Sequence, residues 1–156
     1  MKAIEVIKKV AESEAKKIHT LELGVVTSTF PHSSDGDKNN YECNVMLKNR
    51  DLELKKVPIA TQMIGLAHEP TVGDLVLIAF INGNINAPVV IGRLYNDERR
   101  PPLNETGEMV IFEAAAGGAK ITINKNGDIT IKSNASITIK ALGDLNLNGK
   151  KVNINC

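Results

Sequence analysis

The side chains able to do chemistry are few and scattered along this chain. His68-Glu69 sets a base beside a carboxylate, Asp35 and Asp37 form a carboxylate pair, and His32-Ser33-Ser34-Asp35 holds the residue types of a hydrolytic site. No nucleophile motif and no metal-ligand spacing accompanies any of them. His68 stands next to Glu69-Pro70, and residues 32–40 are rich in Ser, Asp, Gly, Lys and Asn. Loop composition accounts for both groups better than catalysis does. Cys43 and Cys156 lie far apart without a CxxC or Cys/His pattern, which fits a reducing compartment rather than a disulfide scaffold. The residues therefore predict a protein without catalytic groups, cofactor or metal.

Composition narrows the remaining choices. The chain has 156 residues, 42% hydrophobic and 24% charged, which describes a folded protein and not a disordered one. Its aromatic stock is three Phe, two Tyr and no Trp, so the core must be built from Ile, Val and Leu. An oligonucleotide-binding surface would need aromatic platforms in a basic groove, and both are lacking. The net charge of +1 gives no chain-wide pull toward nucleic acid or membrane. The first twenty residues mix charges and hold no signal-peptide core, and no apolar run approaches the roughly 20 residues that span a bilayer. The protein is expected to start out in the cytosol.

Four segments must position whatever the chain uses. Residues 1–20 carry helix periodicity, with Ile4, Ile7, Val10, Ala11, Ala15 and Ile18 on one stripe. A helix packed on its own domain, or fraying beside it, is preferred to a dedicated oligomerisation helix. Residues 21–96 read as strands. Val25-Val26 opens one, and Tyr41, Cys43, Val45 and Leu47 alternate with polar partners and Met46. Leu52 and Leu54 repeat the pattern up to Pro58. Leu75 to Ile81 is a continuous apolar run expected to be buried on both sides, and Val89-Val90-Ile91 runs back after Asn82-Gly83-Asn84. About five short strands predict a small closed barrel, because closure removes exposed edges. Residues 97–108, with Asp97-Glu98-Arg99-Arg100 and Pro101-Pro102, read as a linker.

Residues 109–156 open with a short strand, Met109 to Phe112, and then hold an internal repeat. Ile121/Ile123, Ile129/Ile131, Ile137/Ile139 and Leu145/Leu147 are four apolar pairs, each eight residues after the last. Val152/Ile154 adds a fifth pair, one residue early. A spacing of two puts both members of a pair on one strand face, with Thr122, Thr130, Thr138 and Asn146 facing away. A single-chain solenoid needs roughly twenty residues per coil. Eight residues reach at most ~26 Å and cannot encircle a core alone. A flat meander would leave its Ile face uncovered. Three chains wound about one axis bury every pair, so the repeat predicts an intertwined trimeric β-helix in which these ten residues form the shared core. From Gly117 onward six Lys face two Asp, giving +4 per chain, spread along the repeat and not clustered.

The run Pro70-Thr-Val-Gly73-Asp74-Leu-Val-Leu-Ile-Ala-Phe80, continued by Ile-Asn-Gly83-Asn-Ile-Asn-Ala-Pro88-Val-Val-Ile-Gly92-Arg-Leu-Tyr-Asn96, resembles the OB-fold signature of the central spikes of contractile tails. That family comprises the phage baseplate assembly protein V (gpV) and the VgrG proteins of type VI secretion. The order of helix, barrel, Pro-containing linker and repeat is similar too. Gly73 and Asp74 are read as the tight turn before a buried strand, Gly83 as the next turn, and Gly92 as a close backbone approach in the barrel wall.

The resemblance implies an all-β protein with a short N-terminal helix, an OB-fold barrel and a C-terminal triple-stranded β-helix. It implies a homotrimer on the baseplate axis, joined to hub and tail-tube proteins, with the needle meeting the target-cell membrane on firing. It implies assembly in the cytoplasm into a virion baseplate or injection particle. Residues 97–108 are too short for the lysozyme domain some spikes carry, and no His-x-His apex occurs. The repeat stops at Cys156, so a separate PAAR-type tip protein is expected over Asn155 and Cys156. The competing reading is an OB-fold nucleic-acid-binding module with a trimerising tail.

Overall fold

Ten consecutive residues, Leu21–Phe30, form β1, long enough to serve two neighbours. Its first half, Leu21 to Val25, pairs antiparallel with β4 (Leu75–Phe80), and its second half, Gly24 to Phe30, with β2 (Glu42–Leu47). The halves overlap at Gly24 and Val25. A Cβ on Gly24 would sit 2.3 Å from Val45 Cγ1, 2.8 Å from Ile78 Cδ1 and 3.0 Å from the Met46 carbonyl oxygen, so only glycine fits where the strand is shared. β3 (Glu53–Pro58) and β5 (Pro88–Leu94) complete a five-stranded antiparallel sheet in the order β3-β2-β1-β4-β5.

The two outer strands then meet. Ile59 bridges Val90 in parallel, and the Ala60 N–H donates to the Val90 carbonyl at 2.8 Å. This closes the sheet into the small barrel expected, with Val26, Cys43, Val45, Val57, Val76, Ile78 and Val90 almost wholly buried inside it. One expectation needs correction. β4 is not buried on both sides: Leu77 and Ala79 are half-buried on the outer face, and Ile81 is exposed, because one barrel wall has only one inside.

The computed structural model describes residues 3–15, 18–114 and 118–154, in two compact units, Met1–Arg100 and Pro101–Cys156. In the first unit α1 spans Ala3–Ala15, with Glu5 in its first turn complementing the helix dipole. None of its described residues is buried, and Ile4 is 77% exposed. Of the two forms expected, packed on its own domain or fraying beside it, the packed one is not seen: among the described residues the apolar stripe is uncovered.

In the second unit β6 (Met109–Glu113), β7 (Ala119–Ile123) and β8 (Ile129–Ser133) form an antiparallel sheet in sequence order. The first two octads pair with each other: Ile121 faces Ile131, Thr122 faces Thr130 and Ile123 faces Ile129. The turn between them is tied by Asn124, whose Oδ1 accepts the N–H groups of Asn126 and Asp128 at 2.9 Å each, and Gly127 takes a φ of 88°. Thr122 is buried, and Lys120 Nζ donates to the Leu103 carbonyl at 2.8 Å. Thr130 and Thr138 are exposed, as are the Ile pairs from Ile129 on. Among the described residues, no strand follows Ser133.

Candidate functional site

The residues singled out for chemistry serve as loop ties. Asp37 accepts the backbone N–H groups of Ser33, Ser34 and Asn39 at 2.7–3.0 Å, and its Oδ1 lies 2.8 Å from His32 Nδ1. These bonds, with Asn39 foremost, hold its carboxyl far below the ordinary carboxylate range. His68 is held at three atoms. Tyr41 Oη donates to its carbonyl at 2.6 Å and accepts its N–H at 3.0 Å, while Arg93 Nη1 lies 3.0 Å from Nδ1. Tyr41 sits at a φ of 62°, and the Ile59 N–H donates to its carbonyl at 3.0 Å. Among the described residues, no group of three or more His, Cys, Asp or Glu is placed to hold a metal ion.

Phe80 and Phe30 are similarly engaged. Phe80 lies in the barrel core with the His19 ring 5.4 Å away, and Lys56 Nζ sits 4.0 Å over the Phe30 ring. Lys56 occupies a bulge that the sequence reading missed. Between Cys43–Val57 and Val45–Leu54, β3 spends two residues where β2 spends one. Lys56 takes a φ of 50° there, and its N–H donates to the buried Asn44 Oδ1 at 2.9 Å. Its Nζ reaches Asn39 Oδ1 at 2.9 Å and Glu42 Oε2 at 3.4 Å. A signal was present: Leu54 and Val57, both buried, are three apart in a strand whose period is two.

The turn glycines differ in kind. Gly73 has a φ of 93°, donates its N–H to the Val26 carbonyl at 2.9 Å and precedes Asp74, whose Oδ2 accepts the Thr71 N–H at 2.7 Å. Arg99, read above as linker, clamps this turn: Nη1 lies 2.7 Å from Asp74 Oδ1, and Nη2 donates to the Val72 carbonyl at 2.9 Å. Asn96 Oδ1 in turn accepts the Arg99 N–H at 2.7 Å. Gly83, at a φ of 70°, lies under Ile18, whose Cγ2 would be 2.7 Å from an added Cβ. Gly92 must be corrected. It lies within β5 and not in a turn, and a Cβ there would meet nothing within 4 Å, so no close approach requires it. It stands beside the point where the pairing of β4 and β5 shifts register.

Within this wall, residues 56–95 match the family model of the type VI secretion system/phage-baseplate injector OB domain. The matched segment lies within the barrel. It runs from the Lys56 bulge through β4 and β5 to Tyr95, and the match supports grouping the chain with the gpV/VgrG-like baseplate spikes, as a structural baseplate component. A search of the curated proteins finds no match. The barrel also presents an apolar loop between β3 and β4. Met63, Ile64 and Leu66 are exposed, and Thr61 Oγ1 lies within hydrogen-bond reach of the Met63 and Leu66 carbonyls.

The octad residues form the second candidate surface. Ile121 and Ile123 are half-buried, whereas Ile129, Ile131, Ile137, Ile139, Leu145, Leu147, Val152 and Ile154 are all exposed, Ile129 by 69% and Ile154 by 75%. Asn155 and Cys156, expected to meet a tip protein, lie outside the described residues.

Proposed function

We propose that this protein is the central spike of a contractile tail or injection machine, acting as a force-transmitting homotrimer without catalytic activity. The observation that carries the reading is the exposed row of apolar octad pairs in a chain whose residues 56–95 match the injector OB domain family. A single chain can only pair octads into a hairpin, which leaves one apolar face wet. Three chains wound about a shared axis remove that face from water. Each fully buried Ile or Leu is worth about 1.5–3 kcal/mol, and the pairs of all three chains add together.

The mechanism is mechanical. Contraction elsewhere supplies the work, and the shaft transmits it because backbone hydrogen bonds running between chains and an aliphatic core resist bending and shear. The barrels join the hub and tail tube, the needle meets the target-cell membrane, and a PAAR-type tip protein covers the far end. The last three assignments rest on the resemblance to the spike family. Assembly takes place in the cytoplasm of the producing cell.

Ile131→Asp tests this reading. It would set three carboxylates on the axis, each costing several kcal/mol to desolvate, so the variant is expected to sediment as separate chains while Ile131→Val stays assembled. A trimeric Ile131→Asp protein of undiminished stability would contradict the shared axis.

A further inference from the structure

Two apolar surfaces in the first unit remain uncovered among the described residues. One is the face of α1 formed by Ala3, Ile4, Val6, Ile7, Val10 and Ala11. These residues span about 160° of the helix and are all exposed. A helix of 13 residues is marginal in water by itself, so α1 gains from a surface to lie on. The other surface is the outside of β1, β4 and β5. Val26, Ile78 and Val90 point into the core, so by alternation Leu21, Leu23 and Val25 face out from β1, Leu77 and Ala79 from β4, and Val89 from β5. They lie side by side across the strands, Leu21 beside Ala79 and Val89, Leu23 beside Leu77 and Gly92. A sheet with one face on its core ordinarily turns polar residues outward, yet these are all apolar, Leu21 exposed and the others half-buried. Gly92 adds no side chain beside Leu77, and a Cβ there would meet nothing within 4 Å, which leaves the wall flat.

We infer that α1 docks on the outer wall of β1, β4 and β5 in a neighbouring copy of this chain. The dimensions agree: Ile4 to Ala11 runs about 10 Å along the helix axis, and Leu21 to Val25 about 13 Å along the strand. The breadth of the stripe suits a flat sheet better than a bundle of three α1 helices, whose seam is narrower. Glu14 continues the row of Ile4, Ile7 and Ala11 at heptad spacing, so such a bundle would take a carboxylate into its seam. On the wall, Glu14 lies beyond the end of the stripe. The helix's own barrel is not its partner. The Ile18 N–H donates to the Ala15 carbonyl at 3.2 Å and the His19 N–H to the Gly83 carbonyl at 3.0 Å. The chain is thus pinned at the turn between β4 and β5 just after the helix, and no described residue of α1 is buried. The inference rests on the trimeric reading above, which supplies the neighbour. Helix-to-wall contacts passed head to tail close into a ring about a threefold axis.

The test uses the full chain carrying Cys156→Ser, coupled with a short bismaleimide and read on denaturing gels. Sedimentation of the same samples reports oligomeric state. The double variant Ile7→Cys, Gly92→Cys is expected to yield covalent trimers, and each single variant to stay uncoupled. Coupling confined within one chain would overturn the inference in favour of the helix's own barrel. Coupling by Ile7→Cys alone would overturn it in favour of a helix bundle. A trimer that couples nowhere would overturn it too, although all three results leave the trimeric reading standing. Gly92→Glu gives a second readout, since its side chain enters open space and the barrel should fold unchanged. It is expected to raise amide exchange in α1 of the trimer about tenfold or more, by setting a carboxylate under the helix, with barrel amides unaltered. Exchange in α1 equal to that of the wild type would contradict the docking. A monomeric wild type would overturn the trimeric reading and this inference with it.

Discussion

Single residues decide whether the barrel closes. Gly24 is the tightest position, since a Cβ there meets two core side chains and a backbone carbonyl at 3.0 Å or less. Gly24→Ala is expected to cost about 1–3 kcal/mol in urea denaturation, the usual penalty for overpacking. Asn44 offers an independent check. Its side-chain oxygen is the acceptor for the Lys56 N–H inside the bulge, so Asn44→Ala should cost about 1–3 kcal/mol by leaving that donor unpaired. Cys43 adds a pH dependence. Burial pushes its thiol up from 9.0 to about 11, so the folded protein holds a proton that the unfolded chain releases. Its contribution is complete below pH 9 and is lost as pH rises through about 11, and urea midpoints across that window should fall less in Cys43→Ala than in the wild type. The alternation around Cys43 made its burial legible from sequence. The role of Gly24 was not, because two strands that meet there are far apart in sequence.

At the scale of elements, the strands and their order along the chain were legible, since period-two alternation and turn residues are local signals. Boundaries set by distant contacts were not. Asp97-Glu98-Arg99-Arg100 reads as linker by composition, yet Arg99 is bonded to Asp74 and the Val72 carbonyl and so belongs to the barrel. Arg99→Ala should speed amide exchange at the Gly73 turn while lowering global stability by less than about 1 kcal/mol, because the pair is partly exposed. Gly92 misled in the opposite direction: a glycine in a strand suggests close packing, but here it flanks a register shift. The helix stripe Ile4, Ile7 and Val10 was visible as a pattern, and its lack of cover was not. Periodicity identifies an apolar face without naming what meets it.

The whole molecule joins a barrel that completes itself to a repeat that does not. The barrel pairs its last edge through Ile59 and Val90, and its core residues are buried. The repeat pairs two octads and leaves Ile131, Ile139 and Leu147 in water, at a regular pitch that one chain cannot use. The scarcity of aromatics suits both parts, a narrow barrel and a thin aliphatic shaft. The near-neutral net charge is an average of +4 in the repeat and −3 elsewhere. The central claim is that the repeat is one-third of a structure shared among three chains. Sedimentation equilibrium of the purified full chain tests it most directly. The expected result is a single species of three times the 16.9 kDa chain mass, unchanged on dilution. A stable, soluble monomer would contradict it.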